Sequence, residues 1–95
     1  MNDKEIQNVI SQYEKYGLDK DDKEILTNVI KRLQLHVGDK ICVYDYDDED
    51  LMDFIEERGS NEFIVSDFDY YDGTVWSEDC DYGIDMQYVA NLSAN

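Results

Sequence analysis

The sequence predicts an α+β domain: an N-terminal helical hairpin, then a small, strongly bent antiparallel sheet of three or four strands with a short acidic helix inserted. Three observations predict it. In the first third of the chain, apolar residues recur at the i, i+3, i+4, i+7 spacing of an amphipathic helix. From Val37 onward, β-branched and aromatic residues alternate with polar ones. Between two such runs stands Asp72-Gly73, a strong hairpin-turn signal. A chain of 95 residues has room for one domain around a single core. Its two parts are the hairpin, residues 1–36, and an acidic β-rich part, residues 37–95.

Each element has a local reason. Ile6, Val9, Ile10 and Tyr13 make one stripe, which predicts a helix over 3–16 with Asn2 or Asp3 as its cap and Gly17 as its stop. Ile25, Leu26, Val29, Ile30 and Leu33 predict a second helix over 22–34. Asp21 with Glu24 offers a capping box, and Lys31 and Arg32 suit the helix dipole at its end. The short connection favours an antiparallel pair. Residues 41–46 read as a strand, with Ile41 and Val43 on one face and Cys42, Tyr44 and Tyr46 on the other. Leu51, Met52, Phe54 and Ile55 give residues 47–58 a helical period that Gly59 ends. Residues 63–70 and 74–77 read as a hairpin around a two-residue loop, Asp81-Tyr82-Gly83 as a break, and 86–89 as a last strand or a single helical turn. Phe68 and Trp76 are expected in the core. Residues 91–95 are expected to fray.

Charge excludes several functions. The chain has 24 acidic and 8 basic residues, a net of −16. Residues 1–40 hold eight acids and seven bases; residues 41–95 hold sixteen acids and one base, Arg58, a net of −15. Direct binding to nucleic acid or an anionic membrane is opposed by this charge. An acidic proteome or a high-salt habitat would act on the whole chain, so the asymmetry points to a basic partner instead. No apolar run approaches a membrane span. Met1-Asn2-Asp3-Lys4-Glu5 lacks the basic-then-apolar pattern of a secretory signal. A soluble cytoplasmic protein is expected, with Cys42 and Cys80 as reduced core thiols.

The residues offer little for catalysis. His36 is the only histidine and reads as a surface or capping residue. No nucleophile–base pair is legible, so no enzyme and no cofactor are expected. Asp45, Asp47, Glu49, Asp53 and Glu56 follow calcium-loop spacing, but the glycine that loop requires is Asp50. No metal site is expected.

The pattern that carries a function is alternation. Asp45-Tyr46-Asp47, Asp67-Phe68-Asp69 and Asp79-Cys80-Asp81 each place two carboxylates at i and i+2, on one face of a strand about 6.6 Å apart. That resembles phosphate spacing. The run Asp47-Asp48-Glu49-Asp50 adds a second line of charge. The partner-binding candidates are Asp45, Asp47, Asp48, Glu49, Asp50, Asp67, Asp69, Tyr70, Asp72, Glu78, Asp79 and Asp81.

Two resemblances follow. Val37-Gly38-Asp39 opening a strand and the ending Cys80…Tyr82-Gly83-Ile84-Asp85…Tyr88-Val89 resemble the SH3-like small barrels of phage and prophage proteins, over residues 37–92. In size, charge, aromatic content and architecture the chain resembles the small acidic phage inhibitors of host defence, anti-CRISPR proteins and other DNA mimics. This second resemblance implies a stoichiometric inhibitor in the bacterial host cytoplasm. It would block the nucleic-acid site of an effector nuclease, a Cas9-type effector being one whose Arg side chains read duplex DNA. The alternative is an acidic SH3-like adaptor for a basic peptide or protein domain. The charge-balanced hairpin leaves an exposed stripe for a homodimer.

Overall fold

The computed structural model describes residues 2–44 and 47–93, apart from the side chain of Asp81. Two helices come first. In α1 (Asp3–Ser11) the Asn2 side chain accepts from the Glu5 N–H, 2.9 Å away. The predicted helix does not run unbroken to residue 16: a 3-10 turn, Glu14–Tyr16, follows, and Gly17 ends it at φ 75°. In α2 (Lys20–Leu33) the capping box is made by Asp19 and Asp22, two residues before the expected Asp21 and Glu24. Arg32 serves another element than its own helix end: it donates to the carbonyls of Met86 (2.7 Å) and Val89 (2.8 Å).

The sheet has five antiparallel strands rather than three or four: β1 (Lys40–Val43), β2 (Glu62–Asp69), β3 (Thr74–Ser77), β4 (Cys80–Asp85) and β5 (Val89–Asn91), in the order β4-β3-β2-β1-β5. A 3-10 turn, Met86–Tyr88, joins β4 to β5. Helices at the N-terminus followed by an antiparallel sheet agree with the expected α+β class. Between β1 and β2 lies α3 (Glu49–Arg58), capped by Asp48 and stopped at Gly59 with φ 77°. The β2–β3 connection spans four residues, Tyr70–Gly73, because Asp69 pairs with Thr74. Asp69 accepts from the N–H groups of Tyr71 and Asp72, which rounds the turn.

A bulge in β2 bends the sheet. The register shifts between Val65 and Asp67, and the extra residue changes which side chains face inward. Phe63 and Val65 are buried before it and Tyr70 after it, while Asp67 is exposed. The core joins both halves: Ile6, Ile10, Ile30 and Leu33 from the helices meet Ile41, Val43, Phe63, Val75, Ile84 and Val89 from the sheet. Leu51 and Ile55 seat α3 on the same core.

Phe68 and Trp76 are half-buried rather than core. Residues 81–83 continue a strand instead of breaking one. Asn91 does not fray: its side chain donates to Leu33 O, Gln34 O and Asp39 Oδ2 at 2.8, 3.3 and 2.9 Å. Ser93 Oγ accepts from the Lys40 N–H at 2.9 Å. Cys80 is buried, Cys42 half-buried, and both are free thiols. Among the described residues no helix is long and apolar enough to cross a membrane.

Candidate partner-binding face

Antiparallel pairing assembles the candidate face. On the outward side of the bent sheet, Asp69 stands opposite Thr74, and Thr74 opposite Asp85. In the next row Asp67 stands opposite Trp76. Directly opposed side chains share a face, with Cβ atoms about 5 Å apart. Gly83 completes the second row. A Cβ there would lie 2.6 Å from Thr74 Cγ2 and 3.4 Å from Trp76 Nε1. The indole therefore lies close over the β4 backbone. It is flanked by carboxylates on β2 and β4.

Along the β4 edge this face turns into a cleft of about 290 Å³ lined by Asp47, Asp48, Asp50, Tyr82, Asp85 and Tyr88 with Gly83 and Leu51. Local structure fixes several of these groups. Asp48 Oδ1 accepts from the N–H groups of Asp50 (2.9 Å) and Leu51 (3.2 Å). Acids in this first turn are favoured by the helix dipole, so part of the acidic run has a structural reason. Asp85 holds Gln87 through its backbone N–H and its side-chain amide, both at 3.0 Å. Tyr88 donates its hydroxyl to Asp47 Oδ1 at 3.0 Å. That bond to a carboxylate holds the Tyr88 proton on and raises its pKa above the ordinary 10.0. Tyr82 is exposed and meets Phe54 of α3 edge-on, ring centres 5.8 Å apart.

Among the described residues no base neutralises this surface. Among the described residues the Lys and Arg ion pairs are Lys23–Glu14, Lys40–Glu62 and Arg58–Asp79, and His36 lies against Asp39. None involves Asp47, Asp48, Asp50, Asp67, Asp69 or Asp85. Arg58 is engaged elsewhere: it lies 4.3 Å from the Phe63 ring centre, 3.2 Å from Asp79, and donates to the carbonyls of Ser60 and Glu62. A larger hollow, about 480 Å³, opens beside it between Phe54, Glu57 and Asp79. There Arg58 and Asp79 neutralise each other, which leaves Glu57 as its one unmatched charge among the described residues.

The predicted residues fare unequally. Asp47, Asp48 and Asp50 line the cleft, and Asp67 and Asp69 lie on the outward face. Glu49 is exposed on α3 outside the cleft, and Asp72 is exposed in the β2–β3 turn. Glu78 and Asp79 sit in the β3–β4 turn, where Asp79 pairs with Arg58. Tyr70 is a correction: it is 3 % exposed, its hydroxyl accepts from the Leu35 N–H at 2.8 Å, and its own N–H donates to Tyr13 Oη. It ties the hairpin to the sheet. Asp45 lies outside the described residues, as does the side chain of Asp81. Of the three alternating pairs, only Asp67 and Asp69 are both seen on a strand; Asp47 and Asp79 lie outside strands. The spacing argument therefore holds for one pair.

Sequence reasoning missed Asp85 and did not give Trp76, Tyr82 or Tyr88 a place in the site. Reading the strand through Gly83 would have put Asp85 on the outward face. The calcium-like spacing falls on α3 from Glu49 onward, a helix and not a loop. Among the described residues no group of three metal-ligating side chains converges. His36 is exposed, with Nδ1 3.6 Å from Asp39, whose carboxylate also accepts from the His36 N–H and locks the entry to β1. Comparison with known protein families, curated proteins and solved structures returned no match.

Proposed function

We propose that the chain is a stoichiometric binding protein that takes an Arg- and Lys-rich protein surface on its acidic face, and that the surface it covers is the nucleic-acid site of a nuclease. It acts by occupancy, without turnover. One observation carries the reading: among the described residues the carboxylates of the outward face and cleft have no basic partner, while the one base of that half is held by Phe63, Asp79 and backbone carbonyls. Such a surface draws a basic partner at long range and loses affinity as salt rises. Trp76, Tyr82 and Tyr88 supply aromatic area of the kind that anchors protein interfaces and stacks on guanidinium groups. Small acidic inhibitors of phage origin, including those directed at Cas9-type effectors, share this chemistry.

The cleft itself favours a second reading. Its two tyrosines and four carboxylates suit an extended basic peptide, which makes the chain an SH3-like adaptor. Capture from a nuclease-bearing bacterial lysate, elution by a salt gradient and competition with nucleic acid test both. A captured nuclease that DNA or RNA displaces supports the first reading. A partner that stays bound when nucleic acid is added supports the adaptor. A partner indifferent to salt contradicts both.

A further inference from the structure

The two edges of the sheet, β5 and β4, are finished differently. At β5, Arg32 donates to the carbonyls of Met86 and Val89, and the Asn91 side chain donates to the carbonyls that end α2. Helix α2 thereby covers that edge. At β4 no described residue hydrogen-bonds across the outer side. Register tells which groups are open there. The Met86 N–H donates to Gly73 O at 2.8 Å, which makes Gly73 and Met86 a hydrogen-bonded pair. Such pairs alternate along an antiparallel ladder, so Thr74–Asp85 is an unbonded pair and Val75–Ile84 a bonded one. Ile84 thus turns its N–H and carbonyl toward β3. The peptide bonds are trans, so the Gly83 carbonyl and the Asp85 N–H point the opposite way, off the open edge. Among the described residues neither group has a hydrogen-bond partner. Both residues line the acidic cleft.

An unpaired strand edge is a template for one more strand. Charge selects which strand. Asp47, Asp48, Asp50 and Asp85 stand along this edge with Tyr82 and Tyr88 between them, and among the described residues no base pairs with these carboxylates. A second copy of the chain would set the same acidic edge against this one, like charge facing like charge, which is how natural edges resist pairing with themselves. An extended basic segment meets the opposite situation. Its backbone finds an open donor and acceptor, and its side chains alternate between the two faces of the sheet, with Tyr82 and the start of α3 on one side and Asp85 on the other.

We infer that β4 takes an extended, arginine- or lysine-bearing segment of its partner as a sixth strand, bonded to the Gly83 carbonyl and the Asp85 N–H, with the basic side chains among the cleft carboxylates. This rests on the acidic face being the site for a basic partner, and it adds that the partner is held by backbone pairing as well as by charge.

The probe is a short peptide alternating arginine and threonine, titrated calorimetrically into the full chain at ~0.01 M salt. Asp85→Ala and Asp85→Pro remove the same carboxylate and its bonds to Gln87, but only proline also removes the N–H. Asp85 lies at φ −67°, the value a proline ring fixes, and its N–H takes no part in the ladder, so the fold accommodates the ring. Asp85→Pro is expected to bind the peptide about fivefold or more weaker than Asp85→Ala. In the native protein, amide hydrogen exchange at Asp85 slows about tenfold or more when the peptide saturates; this readout decides alone if circular dichroism shows Asp85→Pro unfolded. Equal affinities in two folded variants, or unchanged exchange at Asp85 in the saturated native protein, overturn strand addition and leave the acidic face binding through side chains only. A peptide that does not bind the native protein at this salt overturns the underlying assignment of a basic partner, and strand addition with it.

Discussion

The hairpin and the sheet share one core but treat charge in opposite ways. In the hairpin, Asn2 caps α1, the acids Asp19 and Asp22 cap α2, and Lys23 pairs with Glu14. Charge there is balanced and local. In the sheet half a few acids also cap and turn the chain, as Asp48, Asp69 and Asp85 do. Asp67 likewise accepts from the Phe68 N–H at 2.8 Å and Asp50 lies in the first turn of α3, yet among the described residues none of these carboxylates has a basic partner, and the one base is committed to Phe63 and Asp79. Uncompensated like charge destabilises a compact state. The difference separates charge that is matched by bases from charge that is not, and the second kind lies around Trp76 and the cleft.

The sharpest way to break the comparison is to ask whether the halves are one cooperative unit. Phe63 is 1 % exposed and carries the Arg58 and Phe54 contacts within the shared core. Phe63→Ala predicts a loss of about 3–5 kcal/mol, in a single transition followed by both tryptophan fluorescence and far-ultraviolet dichroism. Two separate transitions would make the halves independent domains.

Gly83 is the next test. The side-chain methyl of alanine would meet Thr74 Cγ2 at 2.6 Å. Gly83→Ala predicts a loss of about 1–3 kcal/mol in denaturant unfolding, partly restored by Thr74→Ser, which removes that methyl. Absence of rescue would mean that the indole of Trp76, and not Thr74, sets the limit.

Tyr70 joins the halves, and its removal has a smaller effect. Tyr70→Phe leaves the Leu35 N–H without its partner and predicts a loss of about 1–3 kcal/mol. The same contacts set a pH response. Burial raises the pKa values of Tyr70 and Tyr13 above 10.0, and the bond to Asp47 raises that of Tyr88. The folded state then holds these protons more tightly than the unfolded one. Their contribution is complete below pH 10 and is lost as pH rises through the folded pKa values. Thermal melts in that range predict a falling midpoint, with a shallower slope in Tyr70→Phe.

The smallest effect is that of salt on stability. Screening the repulsion among the sheet's acids predicts a modest rise in melting temperature with salt. A fall would place the dominant electrostatic contribution in the ion pairs of Lys23, Lys40 and Arg58.

Much of the fold was legible because periodicity is local. The stripe of Ile6 and Ile10, the broader one of Leu26, Ile30 and Leu33, and the alternation at Ile41 and Val43 each report burial without neighbours. The misreadings share one cause, since long-range partners override local signals. Gly83 looked like a break but sits within a strand because Thr74 and Trp76 close over it. Asn91 looked like a frayed end but ties α2 to the entry of β1. Tyr70 looked like a binding aromatic, yet the β2 bulge turns it inward. The same bulge keeps Asp67 outward. The site was half legible: composition located its charge, and only strand register could bring Asp85 and Trp76 together.

The chain's single tryptophan lies within the proposed face, so its emission reports binding there. The most direct measurement is a fluorescence titration with an arginine-only peptide at low salt, on the native protein and two charge-matched variants. In one, Asp50 and Asp67 become lysine; in the other, Asp3 and Glu5 do. If the face and not net charge binds basic partners, Trp76 emission saturates. The first variant then loses about tenfold or more in affinity while the second stays within about twofold. Equal losses in the two variants would contradict the assignment of binding to this face.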